Sequence, residues 1–312
     1  MPMTESYHVP VLCREVVQYL LTDPGGTYVD GTVGGGGHAE AICRQLSGTG
    51  RLIGFDADVD AIRHATEHLE RFADRVTLIH ANVRALRAEL SLRGIDRIRG
   101  LLLDLGVSSF QINQGSRGFS FRSDDALDMR MDQRQPRTAH DILNTLPESD
   151  LADIIYRYGE ERMARRIARR IIAARPLKTT GDLADVVGSV VGSRFLSRSL
   201  ARVFQALRIV VNDEMQSLTE TLASVVDPLE PGGRVVAISY HSLEDRIVKE
   251  FFRAEAVDRV PSGHKLLPDT VKVPRMRILS KKPIVPAPDE IRQNPRARSA
   301  KMRVAERTAR EM

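Results

Sequence analysis

The chain of 312 residues contains no tryptophan and two cysteines, Cys13 and Cys43. The two do not form a CxxC pair, which argues against a disulfide framework or a structural zinc site. No run approaches the roughly 20 apolar residues that cross a bilayer. The first ten residues also lack the apolar core of a signal peptide. We therefore expect a cytoplasmic protein with no metal site and no membrane contact.

Basic residues outnumber acidic residues only slightly. Lysine and arginine number 46 against 41 acidic residues, and the isoelectric point is about 9.4. A net charge of +5 on this length favours a polyanionic partner slightly, and it fits an ordinary basic surface equally well.

The first hundred residues alternate short apolar runs with helical patterns. The predicted strands here are Thr27–Asp30, Arg51–Asp56, Val76–His80 and Gly100–Asp104. Continuously apolar strands separated by helices indicate a parallel sheet that is covered on both faces. The predicted fold class is α/β, with a doubly wound, Rossmann-like sheet.

This alternation stops at Asp104. Helical patterns follow at Glu148–Arg175, Thr180–Val191 and Ser197–Val211, and strand patterns return at Arg234–Ser239, Arg275–Leu279 and Lys301–Ala305. A helical block inside an α/β alternation indicates an insertion. We predict a discontinuous Rossmann-like domain of residues 1–114 and 216–312, and an inserted all-helical substrate-recognition domain of residues 115–215.

The segment from Asp30 to His38, DGTVGGGGH, follows a predicted strand and opens a predicted helix. Glycines let a backbone approach a ligand closely, and this context is typical of nucleoside-binding turns. Asp56 ends the next strand, 19 residues after Gly37, where a carboxylate can accept both hydroxyls of a ribose. Asp58 is better placed than Asp56 to cap the following helix.

The carboxylate of Asp30 helps to distinguish between candidate nucleoside ligands. It would repel the pyrophosphate of a dinucleotide, whereas it suits the ammonium group of a methionyl moiety. We therefore predict that the cofactor is S-adenosylmethionine.

Asp104 begins the segment DLGVSSFQ at the end of the fourth strand, where ligands of open α/β sheets bind. Ser108 and Ser109 could orient a methyl acceptor or be plain loop residues. A cytosine flipped out of its stack could lie on nearby aromatic rings, although core anchoring is the simpler role for them. The candidates are Phe110, Phe119 and Phe121. His241 could accept a proton, or it could be structural, and no catalytic residue is assigned.

Two basic segments are candidates for contact with RNA phosphates or for solvated surface. The first is one helix face with Arg162, Arg165, Arg166, Arg169 and Arg170. The second is the C-terminal run of Arg292, Arg296, Arg298, Lys301 and Arg303.

Eight segments together resemble the bacterial 16S rRNA cytosine-N4 methyltransferase family. They are DGTVGGGGH at 30–38, LLDLGVSS at 102–109, RGFSF at 117–121, LDMRMD at 127–132, YGEER at 158–162, FQALRI at 204–209, YHSLEDRIVK at 240–249 and NPRARS at 294–299. The resemblance runs from His8 to about Arg307. It implies methylation, with S-adenosylmethionine, of the N4 amine of a decoding-centre cytidine in 16S rRNA, with the rRNA as partner within the small ribosomal subunit.

The same resemblance implies a set of cofactor contacts. They are Gly36, Gly37, His38, Asp56, Val83, Asp104 and Gln111. The family has an aromatic residue near the adenine where this chain has Val83, and residues 124–126 read DDA instead of DGP. Two alternatives stay open: an amino methyltransferase for DNA or another RNA, and a ribosome-assembly factor without turnover. The oligomeric state is open as well.

Overall fold

The computed structural model describes residues 10–107, 117–260 and 269–309. The strands are β1 (Thr27–Asp30), β2 (Arg51–Asp56), β3 (Val76–His80), β4 (Ile98–Asp104), β5 (Leu229–Ser239), β6 (Arg259–Val260), β7 (Thr270–Val271), β8 (Met276–Ile278) and β9 (Lys301–Arg307). The helices are α1 (Cys13–Leu20), α2 (Gly37–Cys43), α3 (Val59–His68), α4 (Leu86–Leu92), α5 (Ala139–Thr145), α6 (Glu148–Gly159), α7 (Ala164–Ala174), α8 (Thr180–Val191), α9 (Leu196–Asn212), α10 (Glu214–Val225), α11 (Ser242–Ala256) and α12 (Pro288–Gln293). None of these helices has the length and apolar character of a membrane span.

Seven strands among these residues form one sheet in the order β3-β2-β1-β4-β5-β9-β8. The first five are parallel, and β9 is antiparallel to both of its neighbours. Apolar clusters cover both faces. The predicted Rossmann-like α/β fold is confirmed. Winding changes direction between β1 and β4, which is where such sheets bind ligands.

The chain divides into two compact units, residues 1–106 with 216–312 and residues 107–215. The first contains the sheet. Within the described residues of the second, the regular elements are helices apart from an isolated bridge between Ala126 and Thr179. The predicted boundary between residues 114 and 115 falls outside the described ranges, and a substrate-recognition role for the inserted unit stays a prediction.

The predicted helix over 148–175 is wrong as a single element, because it breaks between α6 and α7. Gly159 packs so closely that a Cβ there would lie 2.6 Å from the Arg202 carbonyl oxygen of α9. Glu160 then turns into the left-handed region with φ of 51°. The buried Glu161 carboxylate accepts a hydrogen bond from Ser199 Oγ at 2.9 Å. This tertiary packing interrupts a sequence with continuous helical periodicity.

A turn between residues 117 and 131 stabilises the inserted unit. Gly118 has φ of 70°, and a Cβ on it would lie 2.2 Å from the Ala126 carbonyl oxygen. The buried Met129 also adopts positive φ, 61°. Asn212 donates to the Met129 carbonyl oxygen at 2.8 Å and accepts from the Met131 amide at 2.7 Å. These contacts offset the strain of two left-handed residues.

Candidate functional site

Three carboxylates lie at the carboxyl ends of three neighbouring strands. Asp30 ends β1, Asp56 ends β2 and Asp104 ends β4. The parallel register pairs Asp30 with Gly54 of β2 and with Leu102 of β4. The strand order therefore places all three carboxylates along one sheet edge, on both sides of the point where winding changes direction.

The glycine-rich turn joins β1 to α2 against that edge. The Gly31 amide donates to the Leu102 carbonyl oxygen at 2.8 Å. A Cβ on Gly31 would lie 2.7 Å from Leu103 Cδ2 and 2.8 Å from Val83 Cγ2. Gly36 has φ of 87°, a conformation that side chains disfavour. Glycine is thus required here for close packing and for backbone conformation.

Asp30 is almost fully buried, with 1% of its surface exposed. Its Oδ1 accepts from the Thr32 amide at 3.1 Å. Its Oδ2 has no hydrogen-bond partner within the described ranges. Burial raises the pKa of Asp30 to about 7, although His38 and the Thr32 amide act in the opposite direction. A cationic ligand group would relieve this cost, because it would pair with the ionised form.

His38 is also buried and lies 3.5 Å, Nε2 to Oδ2, from Asp104. At this distance the two side chains form an ion pair. Neither ring nitrogen of His38 has a well-formed hydrogen bond to another described residue. Burial opposes the charged ring, but Asp104 and Cys13 outweigh it and raise the pKa of His38 to about 10. These neighbours therefore favour the charged form of the His38 ring.

Asp56 joins the turn to the second strand. Its Oδ2 accepts from the Gly34 amide at 2.9 Å, and its Oδ1 accepts from the Asp58 amide at 2.9 Å. Burial raises its pKa to about 6, so it is ionised at neutral pH. The predicted cap is confirmed, since Asp58 caps α3 by accepting from the Asp60 amide, and the ribose contact of Asp56 stays a prediction.

The remaining predicted contacts are placed as follows. Val83 begins a short 3₁₀ turn after β3 and contacts the turn beside Gly31. Gly37 contacts Pro10, and a Cβ on it would lie 3.3 Å from the proline ring. Gln111 lies outside the described residues, as do Ser108, Ser109 and Phe110. The buried Asp30 Oδ2, which has no hydrogen-bond partner among the described residues, fits a nucleoside that carries a cationic group.

Sequence reasoning did not predict a role at the site for Thr32 or Tyr240. The Asp104 amide donates to Thr32 Oγ1 at 2.7 Å. The Tyr240 hydroxyl donates to Asp104 Oδ1 at 2.8 Å. A positional signal existed for Tyr240, since it directly follows β5, and β5 runs parallel to β4 and ends at the same sheet edge.

The structural interpretation holds for His241. It precedes α11 and forms a capping box with Glu244, whose carboxylate accepts from the His241 amide. Its Nε2 lies 3.1 Å from Glu244 Oε1. These contacts assign His241 to the helix start.

In the inserted unit, Phe119 and Phe121 pack against the helical core. Phe121 meets Phe204 edge to face, with ring centroids 5.5 Å apart. Core anchoring is thus the role that the contacts support for both rings.

The basic segments differ from each other. In the first segment, Arg162, Arg165 and Arg166 are exposed and form no ion pair with another described residue. In the second, Arg303 is buried and its guanidinium binds both carboxylate oxygens of Asp245, at 2.6 and 3.2 Å. A phosphate contact for Arg303 is therefore wrong.

Comparison with known proteins gives consistent matches. The model of the MraW methylase family matches residues 5–308. A ribosomal RNA small subunit methyltransferase H of Carboxydothermus hydrogenoformans is 46% identical over 308 residues, which cover 97% of this chain and 98% of the relative. A protein of the same name from a Geobacter species is 47% identical, with 98% and 100% covered. A solved rRNA methylase of Streptococcus thermophilus has 11% identity, a TM-score of 0.43, and 95% and 94% covered.

Proposed function

The chain belongs to the MraW methylase family, and from this membership we propose that it methylates the N4 amine of a specific cytidine in 16S rRNA at the ribosomal decoding centre. The coarser assignment is firm: the protein is an S-adenosylmethionine-dependent rRNA methyltransferase. The predicted family, cofactor and reaction class are thereby confirmed. The choice of cytidine, of its N4 atom and of the decoding centre belongs to the proposal.

The observation that carries the proposal is the row of carboxylates beside the glycine turn. Asp30 has an unpaired, buried oxygen that suits an ammonium group. Asp56, at the end of β2, suits the hydroxyls of a ribose. A pyrophosphate would be repelled by the carboxylates of Asp30 and Asp56, so a dinucleotide fits poorly.

S-adenosylmethionine, when bound, supplies an activated methyl group on a sulfonium centre. The residues of this chain therefore have to hold and align more than to activate. Gly31 and Gly36 let the turn pack closely against Leu103 and Leu69, and Asp104 is fixed at the sheet edge by Thr32 and Tyr240. The N4 assignment rests on the family segments quoted above. In this chain DLGVSS follows β4 in place of the Asn/Asp-Pro-Pro-aromatic motif typical of amino methyltransferases that act on DNA, so the acceptor amine must be held differently.

The test is methyl transfer from tritiated S-adenosylmethionine to small ribosomal subunits from a strain that lacks the enzyme. We expect label in 16S rRNA and N4-methylcytidine in the nucleoside digest, mapped to one position. Label in duplex DNA instead would favour the DNA methyltransferase. Binding of subunits and cofactor without label would favour an assembly factor.

Binding of S-adenosylmethionine should depend on pH through Asp30. The ligand's ammonium group stabilises the ionised carboxylate, so binding below about pH 7 releases a proton. We expect affinity about 10-fold weaker at pH 6 than at pH 8, measured by calorimetry in buffers of different ionisation enthalpy. Asp30→Asn should remove most of this dependence, and an unchanged pH profile in that variant would contradict the assignment.

The contribution of Asp30 to the stability of the free protein should show the opposite trend with pH. The folded pKa of Asp30 lies above its usual value of 3.8. Its neutral carboxyl therefore contributes stability that is complete below about pH 4 and is lost as the pH rises through about 7. At this one carboxyl group, proton binding stabilises the free protein, whereas cofactor binding favours the ionised form.

The exposed face of α7 is our candidate for contact with rRNA phosphates. Arg165 and Arg166 lie in the first turn, where the helix dipole disfavours cations. Arg169 has a partner, Glu148, at 3.5 Å, and Arg170 donates to Ser189 at 3.3 Å. Arginines at an unfavourable helix end that form no ion pair with a described residue are better explained by an anionic partner than by stability.

The double variant Arg165→Glu/Arg166→Glu should bind 16S rRNA at least about 10-fold more weakly at moderate salt. Loss of two phosphate contacts should also reduce the slope of log K against log salt by about 1.5. Filter binding across a salt series measures both. The control is Arg87→Glu/Arg157→Glu, whose exposed arginines already pair with Asp227 and Asp153. An equal loss in both doubles would point to net charge alone.

The proposal places the protein in the cytoplasm, where 16S rRNA is assembled into small subunits. Its partner is then the rRNA within the subunit, with no membrane contact. Reactivity of free rRNA and of assembled subunits, compared side by side, distinguishes the two forms of the substrate.

A further inference from the structure

Tyr240 lies outside the cofactor contacts implied by the family resemblance. It follows β5 directly, and its hydroxyl donates to Asp104 Oδ1 at 2.8 Å across 136 residues of sequence. Gly106 follows the end of β4, has φ of 97° and lies beside the Tyr240 ring. A Cβ on Gly106 would be 3.5 Å from Tyr240 Cδ2. The side chain is thus packed over the end of β4.

Asp104 is held from three directions. Tyr240 donates to Oδ1, His38 Nε2 lies 3.5 Å from Oδ2, and the Asp104 amide donates to Thr32. Burial and the neighbouring Asp104 raise the pKa of Tyr240, so its hydroxyl stays a donor at physiological pH. The orientation of the carboxylate toward His38 therefore depends on the Tyr240 hydroxyl.

We propose that Tyr240 is a positioning residue, whose hydroxyl fixes the Asp104 carboxylate and through it the His38 ring beside the methyl-donor pocket. A role in starting α11 is separate, because there the Tyr240 backbone amide donates to Glu244. Replacement of the side chain leaves that amide in place. The effect on the ligand pocket rests on the proposed function, whereas the effect on His38 does not.

The variant Tyr240→Phe removes the hydroxyl alone. We expect binding of S-adenosylhomocysteine, measured by calorimetry, to weaken about 10-fold, the loss typical of one hydrogen bond to a charged group. In the free protein, the His38 imidazole should titrate at lower pH than in the wild type, because a loosened Asp104 stabilises its charge less. NMR follows this titration, and the signal that is missing in His38→Gln identifies His38 among eight histidines.

The control is Tyr28→Phe. The Tyr28 hydroxyl accepts from the Thr22 and Asp23 amides and donates to the Asp23 carbonyl oxygen, at the opposite end of the sheet. This variant should lower Tm, while ligand affinity and the His38 titration stay as in the wild type. All titrations are recorded well below the melting transitions, so that loss of folding does not enter the comparison.

Unchanged affinity and an unmoved His38 titration in Tyr240→Phe would overturn the inference. Weaker binding with an unmoved titration would overturn it as well, because Tyr240 would then act on the ligand directly. Failure of the wild type to bind S-adenosylhomocysteine would count against the proposed function, and the His38 titration would still decide the role of Tyr240.

Discussion

The variant Asp56→Ala should bind S-adenosylmethionine at least about 100-fold more weakly than the wild type. Two hydrogen bonds from ribose hydroxyls to a carboxylate are worth about 3 kcal/mol or more together. The same substitution removes the hydrogen bond that the Gly34 amide donates to Asp56 Oδ2 at 2.9 Å, so the glycine turn also loses a stabilising contact. Both losses act in the same direction.

Calorimetry with S-adenosylmethionine measures the Asp56 effect, and a melting curve of the free protein accompanies it. Asp58→Ala is the matched control, because Asp58 is a buried carboxylate two residues away that caps α3. It should cost about 1 kcal/mol of stability and leave cofactor affinity nearly unchanged. An equal loss of affinity in both variants would contradict the ribose assignment, because it would point to a general effect on this segment.

The variant Gly118→Ala should lower the free energy of unfolding of the inserted unit by about 3 kcal/mol or more. Its φ of 70° disfavours any residue with a Cβ, and the added atom would lie 2.2 Å from the Ala126 carbonyl oxygen. A backbone carbonyl yields less readily than a side chain, so the turn has to open. The Met129 amide, bonded to the Arg117 carbonyl oxygen at 2.9 Å, would be displaced with it.

Urea denaturation followed by circular dichroism measures this loss. Gly192→Ala is the control in the same unit, because Gly192 has φ of 72° and no atom within 4 Å of an added Cβ. It carries conformational strain of about 1–3 kcal/mol without the steric clash. A cost for Gly118→Ala no larger than that of Gly192→Ala would show that the Ala126 contact is easily relieved.

Sequence reasoning succeeded where the determinants are local. Strands β1, β2 and β3 have the predicted bounds, because each is a short apolar run that ends in a polar residue. Asp30, Asp56 and Asp104 were found by the same rule, since the carboxyl ends of parallel strands meet at one edge. The glycine turn followed from its composition and position.

It failed where distant segments decide. The break after α6 depends on Gly159 packing against Arg202 of α9, which helical periodicity does not register. Arg303 looked like surface charge until its pairing with Asp245 was seen. The inserted unit separates Tyr240 from Asp104 in sequence, although their side chains are hydrogen-bonded in the fold. Each case joins residues far apart in sequence, and a local pattern holds no signal for such contacts.

The insertion between β4 and β5 has a consequence for synthesis on the ribosome. β4 is synthesised more than a hundred residues before its parallel neighbour β5, and β9 emerges later still. A nascent chain that has reached residue 215 contains the whole inserted unit but only four of the seven strands of the sheet, with the apolar edge of β4 unpaired. We expect the helical unit to fold first, and the exposed edge to make this stage of translation the most prone to aggregation.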